Sequence, residues 1–403
     1  MRVGTFARFN SYGSTDLWKA ALMKIAYLAH DLTDPAIHRR VAMLAAGGAR
    51  VALAGLSRGA APHPGALVLG RSADGRLAQR AWQIAAVIAA RRPEVLAHLG
   101  QPDVLIARNL EMLAVAVSLI PRFRTRPRVV YECLDIHRLL TDQGTRGKAL
   151  RLLEKRLAPY VDLVITSSPA FVTHHLGHVF GDRIAIVENR VLDLGQSPLH
   201  AQNAPPSHLP GPPWRIGWFG ALRCRKSLDI LSEAARLAHG RIEIVIRGRP
   251  SAAVFGDFAA QISGRPYLRF EGPYHMGDLG SHYAGVHFAW GVDLYEAGAN
   301  SDWLLPNRLY ESVHHGSVPI ARLNCEMGRF LLRHDIGLLL PDLSPNTLAQ
   351  RLGMLGAQDY CALQKRQRRL PREMWRADHD DCVDLVMLLA NIAPQVEPKR
   401  VTL

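Results

Sequence analysis

Apolar strand-like runs alternate with helical segments on both sides of a proline-rich break, which predicts an α/β protein built from two doubly wound parallel sheets facing a cleft. Three observations carry that reading. Runs such as VDLVITSS (161–168) are apolar in both parities, as strands covered on two faces are. Helical stretches separate successive runs. A chain of 403 residues exceeds one ordinary core and suits two of them.

In the first half the expected strands are KIAYLAH (24–30), RVALAGL (50–56), PDVLIARN (102–109), RVVYECLD (128–135), VDLVITSS (161–168) and RIAIVEN (183–189). Between the first two, PAIHRRVAMLAAGG (35–48) reads as a helix closed by a glycine pair. GQSPLHAQNAPPSHLPGPP (195–213) has six prolines and almost no large apolar residue, the composition of a linker. The pattern then restarts with WRIGWFGAL (214–222), a helix KSLDILSEAARLA (226–238), and strands at 241–248, 267–274, 285–292 and 317–323. The expected domains are therefore 23–194 and 214–375, joined by 195–213 and followed by a C-terminal helix and tail at 376–403. Residues 1–22 read as a dispensable extension, since Met23 precedes the first strand like a natural start.

Composition narrows the class. Hydrophobic content of 48% with 21% charged residues suits a soluble globular chain, and no run approaches the ~20 apolar residues of a membrane span. Five scattered cysteines without a C-x-x-C pair suggest neither a disulfide framework nor a zinc site, and a reducing cytoplasm fits best. The net charge of +14 is uneven: residues 1–195 carry +11 and residues 196–403 carry +3. RFRTRPR (122–128) and RGKALRLLEKRLAPY (146–160) concentrate it, so the first half is expected to attract an anionic membrane surface; solvated surface charge is the alternative.

Chemistry concentrates in the second half. In LLPNRLYESVHHGSVPIA (304–321), Pro306 suits a helix start whose unpaired N–H groups favour an anion. Asn307 and Arg308 lie at that start, and Glu311 offers an acceptor-only carboxylate one turn on, suited to vicinal hydroxyls. Phosphate plus ribose means a nucleotide; an ordinary capped surface helix is the alternative. WFGALRCRKSLDIL places Gly220 at a strand end, then Arg223, Arg225 and Lys226, then a helix, an order that suits a diphosphate. A solvated basic loop would read the same way. G-x-x-x-x-G-K-[ST] is absent and no G-x-G-x-x-G follows a strand.

With these residues in view, the chain resembles the retaining, family-four-like GT-B glycosyltransferases of bacterial exopolysaccharide, capsule and lipopolysaccharide synthesis, over roughly residues 24–390. FGALRCRKSLDILSEAA is similar to their G-R-L-x-x-x-K-G loop, and LPNRLYESVHHGSVPIA to PNKLFEYMAAGKPVIA. DPAIHRRVAMLAAGGARVALAG and VDLVITSSPAFV resemble the corresponding first-domain motifs.

The resemblance implies two Rossmann-like domains, the second holding a nucleoside diphosphate sugar, UDP- or GDP-linked, and the first holding a saccharide or lipid-linked saccharide acceptor. It implies no further cofactor. Lys226 and Arg223 would bind the diphosphate beside Gly220, Glu311 the ribose, and Asn307 with Arg308 the phosphate end of the same helix. The first glutamate of the family's Glu-x7-Glu pair is replaced by Trp303, with Asn300 and Ser301 nearby, as in a branch reading N-S-x-x-x-L-P-N-K. Ala221 stands where that family has an arginine.

Bond cleavage at the anomeric carbon leaves negative charge on the diphosphate, which these cations and the helix start would stabilise without a metal, in keeping with the lack of a D-x-D pair at any predicted strand end. HDD (379–381) reads as solvated surface. In the first domain, Asp135 and His137, then His30, follow strands and are the candidate catalytic groups, a histidine being suited to base work. The alternatives are a sugar-nucleotide epimerase of the same architecture, a sugar phosphorylase, or a basic binding protein. Aromatics amount to only 7% and do not interleave with the arginine runs, so nucleic acid is not expected. The expected location is cytoplasmic, at the inner membrane face.

Overall fold

The computed structural model describes residues 22–59, 63–71, 77–90, 92–195 and 209–392. The expected extension apart from Leu22, linker positions 196–208 and the last eleven residues of the tail lie outside the described residues.

The chain divides into two compact units, one of residues up to Glu188 together with Asp378 onward, the other Asn189–Ala377. The first contains β1 (Lys24–Ala29), β2 (Arg50–Ser57), β3 (Leu67–Arg71), β4 (Val104–Arg108), β5 (Arg128–Glu132), β6 (Leu163–Thr166) and β7 (Ile184–Ile186). They form one sheet in the order β3-β2-β1-β4-β5-β6-β7, with every pair parallel. Central strands are buried along almost their whole length, which explains why they read as continuous apolar runs. β3 was not expected: it is a half-exposed edge strand with Gly70 and Arg71 in it, too short and mixed to stand out.

The second unit opens with β8 (Val191–Leu192), followed by β9 (Trp214–Leu222), β10 (Ile242–Pro250), β11 (Leu268–Phe270), β12 (Phe288–Trp290), β13 (Val318–Arg322), β14 (Leu338–Leu340) and β15 (Arg376–Ala377). Six of them form a parallel sheet ordered β11-β10-β9-β12-β13-β14. Trp214, Trp218, Phe288 and Trp290 fill its core.

The boundaries follow from pairing and packing. β8 pairs with β15 and Arg376 reaches Asp193 at 3.1 Å, so residues 189–195, expected at the end of the first domain and the start of the linker, belong with the second unit. The C-terminal helix His379–Ala390 belongs to the first unit. It lies so close to Gly47 that a Cβ there would fall 2.2 Å from the Cys382 carbonyl oxygen, and Arg128 donates to the Ala390 carbonyl at 3.0 Å. HDD opens that helix: Asp378 caps it, and Asp381 returns a bond to the Asp378 N–H at 3.0 Å. Asp381 is buried, so this triplet is cap chemistry in part and solvated surface only at its exposed members.

Candidate functional site

The cationic turn begins where β9 runs out. Gly220 has φ +101° and Gly248, its partner on β10, has φ +141°; a Cβ on Gly248 would fall 1.8 Å from the Gly220 carbonyl oxygen. Only glycine at both positions lets the two strand ends approach this closely with left-handed backbone. Past the turn, the helix Arg225–Leu237 starts with the Cys224 thiol accepting from the Ser227 N–H at 3.4 Å.

The three cations of this turn divide by role. Arg223 lies 3.5 Å from Asp293 and 5.0 Å from the Tyr295 ring centre. Lys226 is exposed in the first helical turn. Arg225 points elsewhere, donating to the Val254 carbonyl at 2.8 Å and Gln261 at 2.9 Å over the Phe255 ring, so it braces the neighbouring segment.

The helix Asn307–His314 is capped by Pro306, with Asn307 exposed at its start. Arg308 donates to the Trp290 carbonyl at 3.1 Å, which ties the first helical turn to the end of β12. Glu311 is 8% exposed and accepts a hydrogen bond from the Tyr283 hydroxyl at 3.0 Å. Asn300 and Ser301 are buried at the start of the short helix Asn300–Trp303, where Ser301 Oγ accepts from the Glu296 N–H at 2.9 Å. Asp302 pairs with Arg322 and accepts from the Gly298 N–H at 2.9 Å, so this loop is shaped by its own side chains. A shallow recess lies among Gly291, Asp293, Ser301, Pro306, Arg322 and Met327.

Tyr274 stands beside the turn, its ring 6.4 Å from that of Phe219. Its hydroxyl lies 3.9 Å from where a Gly220 Cβ would stand, and its acidity is depressed by burial and by the Glu311 carboxylate against the opposing pull of Arg308. Burial and Glu311 likewise push the Tyr283 phenol well up, so it stays a proton donor. His315, whose ring stacks on Tyr283, is lowered to about 4 by burial and by His314. Arg223 stands with Asp293 beside the recess. Tyr274, Tyr283 and Asp293 were not anticipated; their spacing matches no short motif, and the only signal was their position just after or between apolar strands.

The candidate catalytic groups lie in the first unit. His30 follows β1 with Nε2 3.8 Å from Asp34, while the buried Asp31 accepts from Thr33 N–H at 3.0 Å and pairs with Arg58 at 3.5 Å. Asp135 and His137 are exposed. His137 Nδ1 accepts from the Leu139 N–H at 3.3 Å and caps the short helix Arg138–Thr141. With Nδ1 accepting, the neutral ring carries its proton on Nε2.

The same end of the sheet holds an unanticipated cluster. Glu132, fully buried at the end of β5, accepts from Arg40 at 2.6 Å, from Arg108 at 3.0 Å and from the Tyr27 hydroxyl. Burial alone would raise its pKa, but the two guanidiniums outweigh that and hold it at about 2. Among the described residues, no group of three or more His, Cys, Asp or Glu side chains is gathered as a metal site.

Two all-parallel Rossmann-like sheets, one in each unit, define the two-domain GT-B fold. The solved structures agree on the fold. Sucrose-phosphate synthase from Thermosynechococcus elongatus superposes with a TM-score of 0.62 at 14% identity, covering 91% of this chain and 96% of that one. Anabaena HepE in complex with UDP and glucose gives 0.61 at 17% identity, covering 90% and 98%. No protein-family profile matches the chain. The succinoglycan biosynthesis protein ExoL of Rhizobium meliloti (strain 1021) is 45% identical over 390 residues, 94% of this chain and 96% of that protein. The chain belongs to the ExoL family of exopolysaccharide biosynthesis proteins.

Proposed function

We propose that the protein moves a sugar from a UDP- or GDP-linked donor to a lipid-linked or growing polysaccharide acceptor, with retention at the anomeric carbon and without a metal. The observation that carries this reading is the second unit's pairing of a glycine-cation turn at the end of β9 with a buried carboxylate, Glu311, on the helix between β12 and β13. Relatives support it: HepE was crystallised with UDP and glucose, and ExoL is named for succinoglycan biosynthesis.

In this reading Lys226 and Arg223 take the diphosphate, with the N–H groups at Asn307 adding dipole, and Glu311 takes the ribose. Charge that develops on the leaving diphosphate meets cations already in place, each such donor contributing about 2–4 kcal/mol in the transition state. Arg308, already bonded to Trp290, acts mainly by orienting the helix start. The first unit takes the acceptor, and the exposed cations of the helix Thr145–Leu157 dock it on an anionic leaflet at the cytoplasmic face.

The test is a donor screen with the purified chain and a membrane-lipid acceptor fraction, with and without EDTA, followed by NMR of the new linkage. A product with the donor's anomeric configuration, formed in EDTA, is expected. Inversion or metal dependence would overturn that part, and release of an epimerised sugar instead of a glycoside would make the chain an epimerase.

A further inference from the structure

The Tyr283–Glu311 contact extends the site. Tyr283 lies on the short helix Leu279–Ala284, outside both the turn and the Glu311 helix, and is 1% exposed. Its hydroxyl donates to Glu311 Oε2 at 3.0 Å. The ring is held on two sides: Phe219 meets it edge-on at 5.1 Å and 75°, and His315 stacks at 5.9 Å and 14°. Its backbone is held too, because Ser317 Oγ donates to the Tyr283 carbonyl at 2.6 Å.

These four contacts come from both sides of the site. Phe219 immediately precedes Gly220 on β9, while His315 and Ser317 follow the Glu311 helix. A side chain that fixes a carboxylate oxygen while locked to both elements sets where that carboxylate stands relative to the cationic turn. We propose that Tyr283 is a positioning residue: by holding one Glu311 oxygen it aims the carboxylate at the two ribose hydroxyls of a nucleoside diphosphate, and so sets the site's preference for ribose over a sugar lacking them. This rests on the assignment of Glu311 to the ribose.

The physical expectation is specific. Without the phenol hydroxyl, Glu311 loses a buried charge-assisted donor and its side chain gains rotamer freedom, which weakens only those ligand contacts that need its orientation. Phenylalanine keeps the ring and its packing, so the fold should be retained.

The experiment is calorimetric titration of UDP and GDP, each beside its 2′,3′-dideoxy counterpart, into wild type, Tyr283→Phe, Glu311→Ala and the double variant, with thermal unfolding of each. Expected is a roughly 10- to 100-fold weaker binding of the ribonucleotide to Tyr283→Phe, the scale of one lost charge-assisted hydrogen bond, with dideoxy binding unchanged. The double variant should match Glu311→Ala. If Glu311→Ala removes the ribose preference and Tyr283→Phe leaves it intact, or weakens both ligands alike, the inference fails and the Glu311 assignment stands. If Glu311→Ala itself leaves ribonucleotide and dideoxynucleotide binding unchanged, the assignment beneath fails and takes the inference with it.

Discussion

Arg223 and Asp293 stand 3.5 Å apart, the carboxylate nearly buried and the guanidinium 42% exposed. Such a half-exposed pair contributes little to stability, of order 0–1 kcal/mol, but it sets the direction of a cation in the turn. Asp293 is itself fixed by the Tyr295 N–H at 2.8 Å. Arg223→Ala and Lys226→Ala should therefore leave unfolding temperature almost unchanged and lower kcat by about 100- to 1,000-fold, the scale of one lost transition-state donor. Turnover with a nucleotide sugar checks it; kcat near the wild-type value in both variants would take the diphosphate away from this turn.

Glu132 gives a pH prediction with a definite sign. Its folded pKa of about 2 lies below the ordinary carboxylate value, so its contribution to stability is fully present above the unfolded value near 4.5 and is lost as pH falls through 2. Glu132→Gln should cost about 3–5 kcal/mol at pH 7, because Arg40 and Arg108 would be left as buried charges without their carboxylate. The variant's deficit should shrink between pH 4.5 and 2. Denaturant unfolding across that range measures it, and a deficit independent of pH would contradict the ion-pair account.

Gly248 tests the geometry of the turn. Its φ of +141° and the 1.8 Å approach to the Gly220 carbonyl leave no room for a methyl group. Gly248→Ala should cost roughly 2–4 kcal/mol, as strain and overpacking of this kind do, and should weaken diphosphate binding by displacing Gly220. Gly256, with positive φ but open space around it, is the control: alanine there should cost about 1 kcal/mol and leave binding alone. Equal effects at the two positions would show that close approach plays no part.

The sheets were legible because their central strands are covered on both faces, so burial wrote itself into apolar runs such as Lys24–Ala29 and Trp214–Leu222. β3 and β14 were not, being edge strands of five and three residues whose pairing comes from neighbours and not from their own pattern. Glu311 and the Gly220 turn could be read because a helix start and a cation cluster are local in sequence. Tyr274, Tyr283, Asp293 and the Glu132 cluster were invisible for the opposite reason: Tyr27 and Glu132 are 105 positions apart, and nothing local marks either as a partner of the other.

The helix Thr145–Leu157 exposes Arg146, Lys148, Lys155 and Arg156, with Leu152 half-exposed among them. Near an anionic leaflet each such cation contributes about 1 kcal/mol. Wild-type protein should sediment with vesicles containing phosphatidylglycerol at low salt, and replacing Lys148, Lys155 and Arg156 by glutamate should abolish that while leaving nucleotide binding intact. Equal sedimentation of both proteins would place membrane contact elsewhere or nowhere.

His137 separates structural from chemical roles, since its Nδ1 caps a helix while the proposed chemistry needs the ring. Alanine would remove both functions together and so could not decide between them. Asparagine restores the cap, because its side-chain oxygen accepts from the same backbone N–H, and deletes only the ring. His137→Asn should therefore unfold at the wild-type temperature and still lose about 100-fold in kcat, the loss expected when a proton-donating or accepting group beside the reacting sugar is removed. His30→Asn serves as the parallel variant at the end of β1, where the ring already faces Asp34 at 3.8 Å. Full turnover in His137→Asn with loss in His30→Asn would move the chemistry to the end of β1, and full turnover in both would remove the two histidines from the reaction.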